Sequence, residues 1–162
     1  MGRKKNALTE YYVGDIDENE EEADLRLAKW VREVTDDSDE EVEDEAFYDG
    51  DGTPEEDVIS VKKKYTFEGL YDDSDEAMKF IADKEFETGE GRKIMFRQVR
   101  TNGDELSGPA TLSEVKVTGG EASEYAAFEC AIAWSKKPKI KKASDSGVSS
   151  ASTKPKQLST TK

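Results

Sequence analysis

Histidine is absent from these 162 residues, and cysteine occurs once. Without an imidazole there is no Ser-His or Cys-His catalytic pair and no imidazole metal ligand. A single cysteine excludes an intrachain disulfide. Cys130 lies in an alternating apolar run (Ala127, Phe128, Cys130, Ala131, Ile132), which predicts a buried structural thiol rather than a nucleophile. No apolar stretch approaches the roughly 18–20 residues of a membrane span. The charged start has no apolar segment behind it, so neither a membrane segment nor a signal peptide is expected, and a reducing compartment is. Hydrophobic residues are also scarce, at 34% against 38% charged. Globular domains average about 45–50% apolar and about 25% charged. Part of the chain is therefore expected to lie outside any core, or to gain its order from neighbours.

Charge is plentiful but uneven. Residues 136–162 carry eight lysines against one aspartate, a net +7, which leaves −21 on the remainder of a chain whose total is −14. Arg3, Lys4 and Lys5 add a small basic head. An acidic body with basic ends favours association between oppositely charged parts of neighbouring copies. It disfavours nucleic-acid binding by the body, because phosphate contacts need positive charge.

Hydrophobic periodicity predicts a mostly β chain. Residues 1–10 read as a polar arm, 11–140 as one β domain, and 141–162 as a flexible Lys/Ser-rich tail. Thr9–Ile16 reads as a first strand, followed by an acidic turn region over 17–24. Leu25–Val34 alternates in the manner of a strand, although Leu27, Trp30, Val31 and Val34 also fit helical spacing. Residues 35–57 read as a long acidic loop holding one apolar island, Ala46-Phe47-Tyr48, and a turn cluster ending at Pro54. Val58–Tyr71 is a period-2 strand. Ser74 or Asp73 is a candidate N-cap for one helix over 74–85, with Ala77, Phe80, Ile81 and Lys84 on a shared face. Strands follow at 92–100, 111–118 and 125–134, separated by Thr101-Asn102-Gly103-Asp104, a Ser-Gly-Pro break at 107–109 and Gly119-Gly120. Six or seven strands at hairpin-like spacing point to an antiparallel sandwich or barrel with one flanking helix.

The motifs carry no chemistry. Asp36-Asp37-Ser38-Asp39-Glu40-Glu41 and Asp49-Gly50-Asp51-Gly52 lack the spacing of a calcium loop. Gly89-Glu90-Gly91 is too short and too acidic to cradle phosphate, and no nucleotide fingerprint occurs. Paired carboxylates arise by chance in so acidic a chain. The lysine tail lacks the interleaved aromatics or arginines of stacking recognition. Trp30 and Trp134 read as core or interface residues. Neither an enzyme nor a cofactor or metal site is expected.

One resemblance stands beside this reading. Ala46–Asp57 (AFYDGDGTPEED) leads into a strand ending Tyr65–Tyr71, then a short helix, then the strand around Ile94-Met95-Phe96. Val115–Phe128 (VKVTGGEASEYAAF) follows, closing on Ala133-Trp134-Ser135-Lys136-Lys137-Pro138. This arrangement, over roughly residues 9–140, resembles the major tail protein, or tail tube protein, of long, non-contractile-tailed bacteriophages of Gram-positive bacteria. The resemblance implies a β-sandwich with a flanking helix, and hexameric rings stacked into a tube whose lumen the sheets line. It implies a long loop and two termini that bridge subunits, and a place in the virion after assembly in the host cytoplasm. The implied partners are the chain itself and other tail proteins (tape measure, terminator, distal tail). Genomic DNA would pass through without specific binding.

On that reading the residues of interest serve assembly. Asp36, Asp37, Asp39, Glu40 and Glu41 are candidates for an acidic lumen or for partners of the basic tail. Phe47, Tyr48 and Pro54 are candidate ring-to-ring contacts. Arg3, Lys4, Lys5, Lys136, Lys137, Lys139, Lys141 and Lys142 are candidate intersubunit ion-pair donors. Each exposed pair is worth at most about 1 kcal/mol, so only repetition over many copies gives them weight. Two other readings compete: an acidic regulatory or DNA-mimic module with a tight partner, and another component of the same particle, such as a tail terminator.

Overall fold

The computed structural model describes residues 2–16 and 23–143. The expected acidic turn at 17–24 falls mostly outside them, as does the tail beyond 143. Among the described residues the chain forms ten strands and one α-helix. The strands are β1 (Glu10–Asp15), β2 (Leu25–Arg26), β3 (Val31–Asp36), β4 (Asp39–Glu45), β5 (Glu55–Lys62), β6 (Lys64–Leu70), β7 (Lys93–Val99), β8 (Glu105–Lys116), β9 (Ala127–Trp134) and β10 (Lys139–Lys141); the helix is α1 (Glu76–Ala82). All pairings are antiparallel. The main sheet runs β2-β1-β7-β8-β9-β6-β3, with β10 also on β8, and β4 pairs only with β5. The expected mainly β, antiparallel barrel-like fold with one flanking helix is what forms.

Alternation is clean in β6 and β8, where every second residue is buried over most of the strand, whereas β7 and β9 bury consecutive residues as well. Ile94 and Phe96, Leu106, Ala110 and Leu112, and Phe128, Cys130, Ile132 and Trp134 enter one core with Val13, Tyr65 and Phe67. The sheet curls until strands far apart in its ladder touch. Tyr11 on β1 meets Phe67 on β6 edge-on at 5.0 Å, although three strands lie between them in the sheet. Phe96 lies 5.0 Å from Trp134 and 6.2 Å from Phe67. Such ring pairs add about 0.5–1.5 kcal/mol each beyond their burial. Helix α1 plugs the curl with Ala77, Met78 and Ile81.

Cys130 is fully buried in this core, as its setting predicts, and desolvation pushes its thiol well above the ordinary range. The folded protein is therefore expected to resist a thiol reagent, with Cys130 becoming reactive only along the global unfolding transition. Modification rates measured across a urea series check this; rapid labelling in native buffer would contradict it.

Several expectations need correction. The strand expected over 25–34 is interrupted, because Trp30 adopts a left-handed backbone (φ 65°) and the ladder shifts between Val31 and Glu33. The strand expected over 58–71 divides at Lys63, whose carbonyl accepts from the Trp134 amide at 3.1 Å; β5 leaves the body there while β6 stays in it. The helix is shorter than 74–85, and its N-cap is Asp75, which accepts from the Met78 amide at 3.2 Å. Met78 replaces Phe80 on the fully buried face, and Lys84 lies past the helix with its ammonium 5.0 Å from the Phe80 ring. Residues 107–109 do not break the chain. The Pro109 carbonyl accepts from the Ser135 amide at 3.0 Å, so its nitrogen faces the interruption between β9 and β10, where a missing N–H forfeits no ladder bond. Lys141 belongs to β10, so the body continues past residue 140.

Candidate assembly surface

The stretch read as a long acidic loop is a two-stranded arm. Strands β4 and β5 pair from Asp39↔Lys62 to Glu45↔Glu55, and residues 46–54 form the tip. Its base is closed on the body. The Asp37 amide donates to the Lys64 carbonyl at 2.9 Å, and the Lys64 amide donates to Ser38 Oγ at 3.3 Å. Beyond that base every residue of both strands is exposed. The arm therefore leaves Val42, Val58, Ile59 and Val61 each about half accessible, with Phe47 at 56% and Tyr48 fully open at the tip. A lone two-stranded hairpin is marginal in water, and its exposed apolar side chains make it a candidate contact surface.

Electrostatics sharpen the point. In the distal half, Glu43 faces Asp57, Asp44 faces Glu56 and Glu45 faces Glu55. Like charges directly opposite destabilise a sheet pair. Among the described residues no lysine or arginine forms an ion pair with any of the six.

The acidic candidates fall at the arm's root. Asp36 ends β3 and accepts from the Ser38 amide and hydroxyl; the hydroxyl bond is the main reason its carboxyl stays below the usual range. Asp37 accepts from the Thr66 hydroxyl. Asp39, Glu40 and Glu41 open β4 opposite Lys62, Val61 and Ser60. Phe47 and Tyr48 lie at the tip, and Pro54 immediately precedes β5.

The basic candidates cluster elsewhere. Arg3, Lys4 and Lys5 are exposed, and Lys4 Nζ donates to the Thr101 carbonyl at 2.8 Å. Lys136 and Lys137 lie exposed between β9 and β10, and Lys139 and Lys141 are on β10. Lys142 pairs with Asp104 at 3.7 Å, and the Ala143 amide donates to the same carboxylate at 3.2 Å. The turn at 101–104 thus holds residues from both basic ends of the chain. Among the described residues Lys4, Lys5, Lys136, Lys137, Lys141 and Lys142 form no ion pair with the arm.

Trp30, expected in a core or interface, is half exposed. Its indole N–H donates to Asp72 at 2.8 Å, and Lys29 pairs with the same carboxylate at 3.2 Å. Bonds from the Ser74 hydroxyl and amide, then from Trp30, hold the Asp72 carboxyl far below the usual carboxylate range. A depressed carboxyl contributes stability that is complete above its unfolded value, about pH 3.9, and is lost as pH falls through the lower folded value. Trp30 emission is therefore expected to stay constant from neutral pH down to about 3.9 and to change only below it. In Asp72→Asn this acid transition is expected to vanish; a transition that persists unchanged would contradict the assignment.

Two features escaped sequence reasoning: the seam described next and the close approach at Gly69. The curl leaves a cleft of about 1070 Å³ between β1 and β3, lined by Lys4, Tyr11, Arg26, Arg32, Arg100 and Asp36 among others. Residues drawn from four distant parts of the chain give no local signal.

No protein-family model matches the chain, and no curated protein matches it. Solved structures do. A subunit from the tail of an empty gene transfer agent particle, refined with helical and C6 symmetry, is similar at 12% identity, covering 86% of this chain and 99% of that one, with a TM-score of 0.63. A chain from the virion of a native gene transfer agent particle gives 12% identity, the same two coverages and 0.62. A chain from the sheath/tube terminator of an extracellular contractile injection system in its extended state gives 10% identity, 87% and 98% coverage and 0.53. At such identities the likeness is one of fold, and this chain has the fold of those particle-tail and injection-system subunits over nearly their whole length.

Proposed function

We propose that this chain is the self-assembling subunit of a phage-type tail tube. Six copies form a ring, rings stack, and the resulting conduit carries DNA into the host. The observation that supports this best is the arm: a projecting hairpin whose apolar residues stay about half exposed and whose distal strands set carboxylate opposite carboxylate. Copies around a ring can supply a partner for both. The shared fold with a tail built on C6 symmetry agrees with six-fold closure. On this reading Phe47, Tyr48 and Pro54 make contacts between rings, the lysines of both ends donate intersubunit ion pairs, and Asp36, Asp37, Asp39, Glu40 and Glu41 contribute to an acidic lumen. An acidic lumen repels phosphates over about a Debye length, some 8 Å at physiological salt, so DNA slides without sticking. The role involves no catalysis, cofactor or metal. Its site is the virion, with tape measure, terminator and distal tail proteins as further partners.

A capping role at the end of a tube is the second reading, favoured by the likeness to the sheath/tube terminator chain. Electron microscopy of the purified protein separates the two. Hollow tubes of indefinite length with six-fold symmetry are expected; isolated rings at all concentrations indicate a cap, and a monomer at all concentrations overturns both.

A further inference from the structure

The seam between β1 and β3 has the complement of what the arm lacks. Strand β3 pairs with β6 on one side and has no strand on its other edge among the described residues. Strand β2 covers β1 at Tyr12 and Val13, and the Leu27 amide donates to the Tyr11 carbonyl at 2.8 Å, so β3 offers the longer open edge. The cleft between them presents Lys4, Arg26, Arg32 and Arg100 against two carboxylates, Glu33 and Asp36, over a floor of Tyr11, Leu27 and Tyr65. Arg32 is exposed and forms no ion pair with any described residue. Arg26 reaches Glu10 only at 4.0 Å. A basic cleft bordered by open strand edges suits an acidic extended segment, which would gain backbone hydrogen bonds from the edge and ion pairs from the rim.

We infer that the seam of each copy receives the distal half of the arm, Glu43–Glu45 with residues 55–57, from a second copy. The inference rests on the self-assembly reading and names the contact that would carry it. The six facing carboxylates gain guanidinium and ammonium partners, so the repulsion that weakens the free hairpin becomes attraction in the assembly. Every residue of β4 and β5 is exposed, so the hairpin's charges and edges are open to a neighbour.

Charge reversal tests the contact. Arg26→Glu with Arg32→Glu, both exposed positions, is expected to leave the monomer's circular dichroism and unfolding midpoint intact. It is expected to raise the concentration needed for assembly at least about tenfold. Adding Glu43→Lys and Glu45→Lys to the same chain is expected to bring that concentration back to within about threefold of wild type. Because Cys130 is buried, introduced thiols report cleanly. An equimolar mixture of Arg32→Cys and Asp44→Cys proteins, oxidised under assembly conditions, is expected to yield cross-linked heterodimers. A wild type that assembles while the seam reversal assembles equally well overturns the inference and leaves the tube reading standing. Failure of the four-site variant to recover, or the absence of heterodimers, also overturns it. A wild type that never assembles overturns the inference and the tube reading together.

Discussion

Replacing Asp39–Lys62 by a short Gly-Ser turn is expected to abolish self-assembly while leaving the unfolding midpoint of the remaining body within about 2 °C of wild type. The two ends of the excised segment are already joined by the Asp37–Lys64 and Lys64–Ser38 hydrogen bonds, so a tight turn closes the gap without strain. Neither strand of the arm contributes a buried residue, and the core cluster lies entirely outside it. The segment also carries a heavy excess of acid, so its removal lowers the body's self-repulsion. Covering the exposed half of a side chain such as Val58 or Ile59 at an interface is worth about 1 kcal/mol. Several such residues per copy, repeated around the proposed ring, would account for an all-or-none loss. Calorimetry and electron microscopy on the same preparation read both halves. Tubes without the arm would remove it from the assembly, and a collapsed midpoint would make it part of the core.

Gly69→Ala is expected to destabilise the body by about 3 kcal/mol, at the upper end of the usual range for overpacking. A Cβ at this position would stand 2.0 Å from the Trp30 carbonyl oxygen and 2.8 Å from Val31 Cα, both backbone atoms that cannot rotate away. The close approach exists because Trp30 takes a left-handed conformation that throws its carbonyl toward β6, where it accepts the Leu70 amide at 3.0 Å. Adding the methyl must therefore break that bond, shift β3 away from β6, or both. Urea unfolding of the purified monomer measures the loss. Gly50→Ala, whose Cβ meets nothing closer than 3.6 Å, is the control and is expected to stay within about 0.5 kcal/mol. Equal stability of the two variants would contradict the account of the β3–β6 junction.

These two expectations mark where the sequence is legible. Residues 93–99 and 127–134 are apolar enough for alternation to reveal them as strands, and the same signal places Cys130 and Trp134 in the core. Strand β4 is invisible to it. Val42 stands alone among six acids, and acidic residues are poor strand formers, so its structure comes from pairing with β5 rather than from its own pattern. The break at Trp30 is equally hidden, because a left-handed tryptophan has no local signature and depends on a glycine almost forty residues later. Pro109 misleads in the opposite sense: it reads as a terminator until β9 and β10 are seen to leave a gap opposite its nitrogen. For the candidate surface, Phe47 and Tyr48 stand out as an apolar island in an acidic stretch. The seam does not, since Lys4, Arg26, Arg32 and Arg100 meet only through the curl.

Amide hydrogen exchange over residues 39–62, compared between dilute monomer and assembled material, reads the central claim at the residues that carry it. The account predicts exchange close to the unprotected rate in the monomer, where facing carboxylates loosen the hairpin, and slowing by at least about a hundredfold once neighbours cover it. Equal exchange in the two states, with the arm open in both, would contradict the claim that copies of this chain complete one another's surfaces.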